Sequence, residues 1–261
     1  MRHATMVVDR TNRGTFVKLT LALCLAVSIS LVVGACSGGA SSEGRGELAL
    51  LESQIAALEQ RKSLIEDAND IKRLQRAYGY YIDEAQWDQA TDLFAEDGTI
   101  EIGLDGVYVG KARVREYLYA LGGGRHGLSY GELNEHFQLM PVITVAPDGL
   151  TAKARWRALI MAGALGESAI WGEGPYENEY VKENGVWKIK TLHWYQSMVV
   201  PYEGGWQLNT DVNGGKWVSS KLPPDLPPSV DYKTWPDVYV PPFHFPNPVR
   251  KYVAGEIGGA Q

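Results

Sequence analysis

Thiols are nearly missing from this chain. It has two cysteines, Cys24 and Cys36, both near the N-terminus. Everything after Cys36 is free of thiols, which excludes disulfides, thiolate nucleophiles and cysteine metal sites from that stretch. Metal binding is not expected from histidine either: His126, His136 and His193 are scattered, and no H-x-x-x-H pair occurs. A phosphate-cradling loop is missing, because Gly122-Gly123-Gly124 follows a helical stretch and no Lys-Ser/Thr comes after it. There is no internal repeat and no basic stripe. These absences leave no cofactor to be expected, and an acidic chain of this kind is a poor partner for nucleic acid.

The N-terminus reads as an address. Arg2, Arg10, Arg13 and Lys18 make a positive region, and an uncharged apolar run follows from Leu19 to Ala35. It ends in Val33-Gly34-Ala35-Cys36, the pattern of a bacterial lipobox, in which small residues admit the peptidase and the cysteine thiol takes the lipid. The run is short for a membrane span. Residues 1–35 are therefore expected to be a cleaved signal, with the mature chain lipidated at Cys36 and anchored to the membrane through it. Ser37, in place of an aspartate, points to the outer membrane facing the periplasm. The segment 1–35 holds four Lys/Arg and one Asp, so its removal takes the formal net charge from −6 to −9.

Residues 36–47 are Gly/Ser-rich and read as a flexible tether. Residues 48–65 form a helical spacer whose Leu51, Ile55, Leu58 and Ile65 fall at a/d-like spacing; it is either a solvated spacer or a short coiled coil between two protomers. From 66 to 200 the pattern is that of one domain. Ile71, Leu74, Tyr78 and Tyr81/Ile82 recur at helical spacing. A second helical piece runs from Glu84 to Phe94 and a third from Lys111 to Leu121. Strands Thr99–Leu104 and Val107–Val109 turn at Asp105-Gly106. Four β-like runs follow: His136–Val145, Ala152–Ala162, Trp171–Lys182 and Val186–Val199, with turns at Pro147-Asp148-Gly149 and Asn184-Gly185. Helices first and antiparallel strands after imply an α+β fold, a curved sheet wrapped on its helices. From 201 to 261 the texture changes: ten of the thirteen prolines lie between Pro201 and Pro248, interleaved with Trp206, Trp217, Trp235 and Phe243. Such a segment cannot be a sheet interior, and its aromatics argue against disorder. It is expected to lie extended over the domain or over a partner protomer.

The central stretch resembles the SnoaL-like family of the nuclear transport factor 2 superfold. The resemblance rests on D-I-K-R-L-Q-R-A-Y-G-Y-Y-I-D-E-A-Q-W-D-Q-A-T-D-L-F-A-E-D-G at 70–98, G-V-Y-V-G-K-A-R-V-R-E-Y-L at 106–118, H-F-Q-L-M-P-V-I-T-V-A-P-D-G-L-T-A-K-A-R-W-R at 136–157, P-Y-E-N-E-Y-V-K-E-N-G-V-W-K-I at 175–189 and a closing H-W-Y-Q, in that order and spacing. It implies a cone-shaped fold in which helices close one side of a curved, mostly antiparallel sheet around a deep apolar pocket, and a homodimer or higher homo-oligomer. The family includes dehydratases, isomerases, formaldehyde-releasing lyases and members without catalysis, so the fold leaves the reaction open.

In dehydratases of that family, a Tyr and an Asp from the first helix meet a His from the strand after the third. The matching positions here are Tyr78, Asp83 and His136. Five residues of ideal helix is about 140° of rotation, so Tyr78 and Asp83 share a pocket only if the helix ends near Asp83. His136 is the candidate proton-transfer group, since imidazole titrates near neutrality. Asp83 would raise its pKa and fix its tautomer, and Tyr78 would donate to a developing oxyanion. Candidate substrate-binding residues are Tyr81, Trp87, Tyr117 and Arg157. Tyr176 and Asn178 join them by sharing a strand face, and His193 and Tyr195 do so if the face bearing Trp187, Ile189 and Thr191 is concave. Asn178 stands where some relatives carry an acid and cannot itself be a general base. Two functions remain open at this point. One is a cofactor-independent lyase, dehydratase or isomerase acting on an apolar, aromatic or polycyclic small molecule. The other is a non-catalytic envelope lipoprotein that binds a hydrophobic ligand.

Overall fold

A computed structural model describes residues 42–208 and 213–246. The lipobox, Cys36 and the signal segment lie outside the described residues. The chain divides into two compact units between Glu59 and Gln60. In the first, the described part is helical, and Leu48, Leu51, Ile55 and Leu58 are all exposed.

A single helix, α1 (Ser42–Asp83), takes in residues read as the end of a tether, the whole spacer and the first domain helix. Its uninterrupted run reflects composition: Leu, Ala, Glu, Gln, Lys and Arg dominate 45–62, and neither proline nor a turn pair separates them from 66. In the second unit Ile71, Gln75, Tyr78 and Ile82 form its buried stripe, at the i, i+4, i+7, i+11 positions of one helical face. The helix stops at Asp83, where Ala85 takes a left-handed φ of 51° and the amide of Gln86 closes back on the Tyr81 carbonyl at 2.7 Å. A short helix, α2 (Trp87–Asp92), follows, and α3 (Lys111–Leu121) is the third.

The strands are β1 (Phe94–Ile102), β2 (Val107–Val109), β3 (Glu132–Val145), β4 (Thr151–Ala164), β5 (Ser168–Glu183), β6 (Val186–Trp194) and β7 (Met198–Pro201). They form one sheet in the order β2-β1-β6-β5-β4-β3, with β7 on the first half of β5. All neighbours are antiparallel except β1 and β6, which run parallel. The α+β reading and the mostly antiparallel sheet therefore hold.

Two irregularities change what faces the core. The run Val186–Val199 is not one strand: Tyr195-Gln196-Ser197 breaks it, and the Tyr195 carbonyl comes so close to Gly174 that a Cβ there would lie 2.0 Å from it. In β6 an extra residue, Lys190, sits between Ile189 (paired with Tyr180) and Thr191 (paired with Glu179). A bulge of this kind reverses the inside-outside alternation. Trp187 and Ile189 point inward, but beyond the bulge Leu192 and Trp194 do so, and His193 is turned to the other face.

The core is rich in aromatics: Phe94, Tyr108, Tyr117, Trp156, Tyr176 and Tyr180 are almost wholly buried. The polar ends of the tyrosines and of Trp156 are paired, as burial requires. The Tyr108 hydroxyl donates to the Leu222 carbonyl at 2.7 Å and Tyr117 donates to Asp105 at 3.0 Å. The described part of the Pro/Trp-rich extension lies across its own domain. Carboxylates of the domain hold it there: Asp105 accepts the amides of Val218 and Ser219, Glu101 accepts the amide and hydroxyl of Ser229, and Glu177 bonds His244.

Candidate functional site

A cavity of about 440 Å³ lies between the helices and the sheet, within the size range of small-molecule sites. Its wall is mostly apolar. Five of the sequence-selected residues line it: Tyr78 from α1, Trp87 from α2, Tyr117 from α3, His136 from β3 and Tyr176 from β5. Trp87 also ties down the glycine-rich segment after α3, donating its indole N–H to the Arg125 carbonyl at 2.6 Å.

His136 is set in place by its main chain. Its amide donates to Asp83 Oδ1 at 2.6 Å, and its carbonyl accepts from the Gln138 side chain at 3.1 Å. Gly79 allows this approach of β3 to α1, since a Cβ there would lie 2.8 Å from Gln138 Cγ and 3.1 Å from the His136 carbonyl oxygen. The imidazole Nδ1 is buried and has no hydrogen-bond partner among the described residues. Burial pushes the His136 pKa down to about 4, so the ring is neutral at pH 7. This corrects the expectation that Asp83 would raise it: the carboxylate is spent on the main chain. Asp83 is itself raised to about 6, by burial first, against the lowering effect of the His136 amide.

Tyr78 hydrogen-bonds Tyr176, and burial holds the pKa of both phenols above the ordinary value. The pair opens a polar chain that runs from the cavity wall into the core. Tyr176 bonds Gln138, whose Oε1 accepts from Gln75 at 2.8 Å. Gln75 Oε1 in turn accepts from Asn178 at 3.0 Å and from the Tyr180 hydroxyl at 2.7 Å, and Trp156 donates to Tyr180 at 3.0 Å. Asn178 is therefore a structural member of this network, with its Oδ1 taking the His193 amide at 3.1 Å, and does not line the cavity.

Other expected binding residues stand elsewhere. Arg157 projects from the opposite face of β4 and pairs with Glu173, because it alternates with the inward Trp156 and Ala158. His193 and Tyr195 are on the outer side of the sheet, a consequence of the Lys190 bulge: His193 Nδ1 lies 3.4 Å from Glu101, and its ring stacks on Tyr195 at 3.7 Å. Tyr195 lines a separate cavity of about 180 Å³ under the extension. Tyr81 packs against the core beside the main cavity without lining it.

Several residues of the site escaped sequence reasoning. Trp194 lines the cavity because of the bulge, and Trp217 reaches it from the extension. Gln75 left a signal, as a polar residue in the middle of an apolar helical stripe.

Solved structures similar to the chain include one from Novosphingobium aromaticivorans assigned as a scytalone dehydratase, at 20% identity and a TM-score of 0.47, covering 54% of this chain and 91% of that one. Another is a hexachlorocyclohexane dehydrochlorinase, LinA-type3, from Novosphingobium barchaimii, at 16% identity and a TM-score of 0.48, covering 55% and 95%. A third is Rv3472 from Mycobacterium tuberculosis, of unknown function, at 20% identity and a TM-score of 0.46, covering 61% and 86%. No curated protein sequence matches it. The family model described as SnoaL-like domain matches residues 63–193, the stretch that holds the second half of α1, the helices α2 and α3, strands β1 to β5 and all but the last residue of β6, and the chain belongs to that family.

Proposed function

We propose that this protein is a cofactor-independent lyase, of dehydratase or formaldehyde-releasing type, or an isomerase, acting on an apolar aromatic or polycyclic small molecule. The observation that carries this reading is the His136 imidazole: it lines an apolar cavity, and its Nδ1 is buried without a partner among the described residues. Such a ring can take a proton from a substrate carbon next to a carbonyl. The Tyr78–Tyr176 pair would donate to the oxygen that gains charge. In an elimination the C–H electron pair becomes the new double bond, the C–O bond breaks, and the imidazolium returns its proton to the leaving oxygen. Asp83 acts as a positioning residue, holding His136 through its main chain. The lipobox at Val33–Cys36 supports a second part of the proposal, that the enzyme works in the cell envelope, lipid-anchored at Cys36.

Exchange of substrate hydrogen for solvent deuterium tests the chemistry without knowledge of the leaving group. A panel of aromatic β-hydroxy ketones is incubated with the protein in deuterated water and followed by NMR. Exchange or elimination is expected with the wild type and is lost in His136→Ala. Ligands that bind in the cavity without exchange would favour the non-catalytic carrier instead.

A further inference from the structure

The matched family domain ends at 193, yet the cavity wall is completed from beyond it. After β7 the chain returns Trp217 to the wall at the C-terminal ends of β1 and β6, beside Ile102 and Trp194. The indole is held on several sides. Its N–H donates to Gln196 Oε1 at 3.2 Å. The next two amides, of Val218 and Ser219, donate to the buried Asp105 at 3.0 and 3.1 Å, and Val218 is wholly buried. Asp105 also accepts the hydroxyl of Tyr117, another wall residue, so one carboxylate joins the extension to the cavity. On the chain side, Gly215 lies so close to the indole that a Cβ there would be 2.5 Å from it. Near the indole nitrogen stand Gly103 and Gln196, with a Cβ on Gly103 3.9 Å from that nitrogen.

We propose that Trp217 is a specificity-determining residue: a fixed stop, supplied by the extension, that limits the cavity to compact ring systems. The proposal rests on the reading of this cavity as the substrate site. A rigid aromatic wall rejects a larger ligand because an overfilled site must displace packed side chains. Here the indole cannot swing aside without breaking its bond to Gln196, and the Asp105 anchor keeps the backbone that carries it from moving away. The molecule that fits is therefore a small fused or single-ring aromatic, with its polar group towards Tyr78 and His136 and its apolar edge against Trp217.

Binding of phenol, 2-naphthol, 9-phenanthrol and 1-hydroxypyrene to the full chain, measured by calorimetry, tests this. Wild type is expected to lose at least about tenfold in affinity at one step of that series, of the order that apolar pockets discriminate by size. Trp217→Ala should move that step to a larger probe, and Trp217→Phe should soften it. A step at the same probe in wild type and both variants overturns the assignment. Should Trp217→Ala fail to fold, the phenylalanine variant decides alone. Ile160→Trp, which fills the cavity from β4, separates the two readings. If it abolishes binding while the step stays put in the Trp217 variants, only the Trp217 assignment falls. If it leaves binding intact, or if wild type binds none of the probes, the cavity reading falls and takes the proposal with it.

Discussion

Asp83 and His136 are joined side chain to main chain: Asp83 Oδ1 accepts the His136 amide at 2.6 Å, while the buried imidazole Nδ1 has no partner among the described residues. Two substitutions at Asp83 separate its possible roles. Asp83→Asn keeps an oxygen acceptor for the amide, so stability at pH 7 and activity should both stay close to wild type. Asp83→Ala leaves the amide unpaired and should cost about 1–3 kcal/mol in urea unfolding, with a loss of kcat as His136 drifts. If the asparagine variant is as inactive as the alanine one, the charge itself is needed and the positioning role is wrong.

The two groups should also leave opposite marks on stability against pH. His136, held at about 4, binds its proton more weakly folded than unfolded; its contribution is complete above 6.5 and is lost as pH falls through 4. Asp83, raised to about 6 from 3.8, contributes fully below 3.8, and that contribution is lost as pH rises through 6. Thermal melts of His136→Gln should show a shallower fall in Tm between pH 6.5 and 4 than wild type. Asp83→Asn should show the reverse, a steeper fall over the same acid range, because its opposing contribution is gone.

Tyr78→Phe removes a hydroxyl from the cavity while keeping the ring in the core. Loss of a donor to developing charge should lower kcat by about 10²–10³, with little change in KM. An unchanged kcat would remove Tyr78 from the chemistry.

Asn178→Asp restores the acid that some relatives carry, but here it should harm the fold. The side-chain amide donates to Gln75 and Tyr180, and an aspartate would place an acceptor against the Gln75 oxygen in a buried network. A loss of about 3 kcal/mol or more is expected in chemical denaturation. Gain of activity without loss of stability would contradict the structural role.

Expression in a bacterial host tests the anchor. Mass spectrometry of the mature N-terminus should find an acylated Cys36, and Cys36→Ser should release the protein from the membrane fraction. An unmodified cysteine in the wild type would remove the lipoprotein reading.

Local pattern and order along the chain were enough for the sequence to determine the α+β class, the helical stripe Ile71–Tyr78–Ile82, the hairpin at Asp105-Gly106 and the family. Hydrophobic period and turn chemistry act between near neighbours, and Tyr78, Trp87, Tyr117, His136 and Tyr176 lie on elements those signals define. The tertiary structure alone decided the rest. Lys190 adds one residue to β6, and a period-two argument has no way to see an extra residue that only strand pairing reveals; so His193 and Tyr195 went outward and Trp194 inward. Trp217 is far along the chain from the wall it completes, and long-range bonds such as those of the Asp105 carboxylate to the neighbouring amides, and of the indole to Gln196, bring it there. Whether Asp83 would grip the ring or the backbone of His136 was likewise a matter of how closely β3 could approach α1 at Gly79, a contact between elements that carries no local signature.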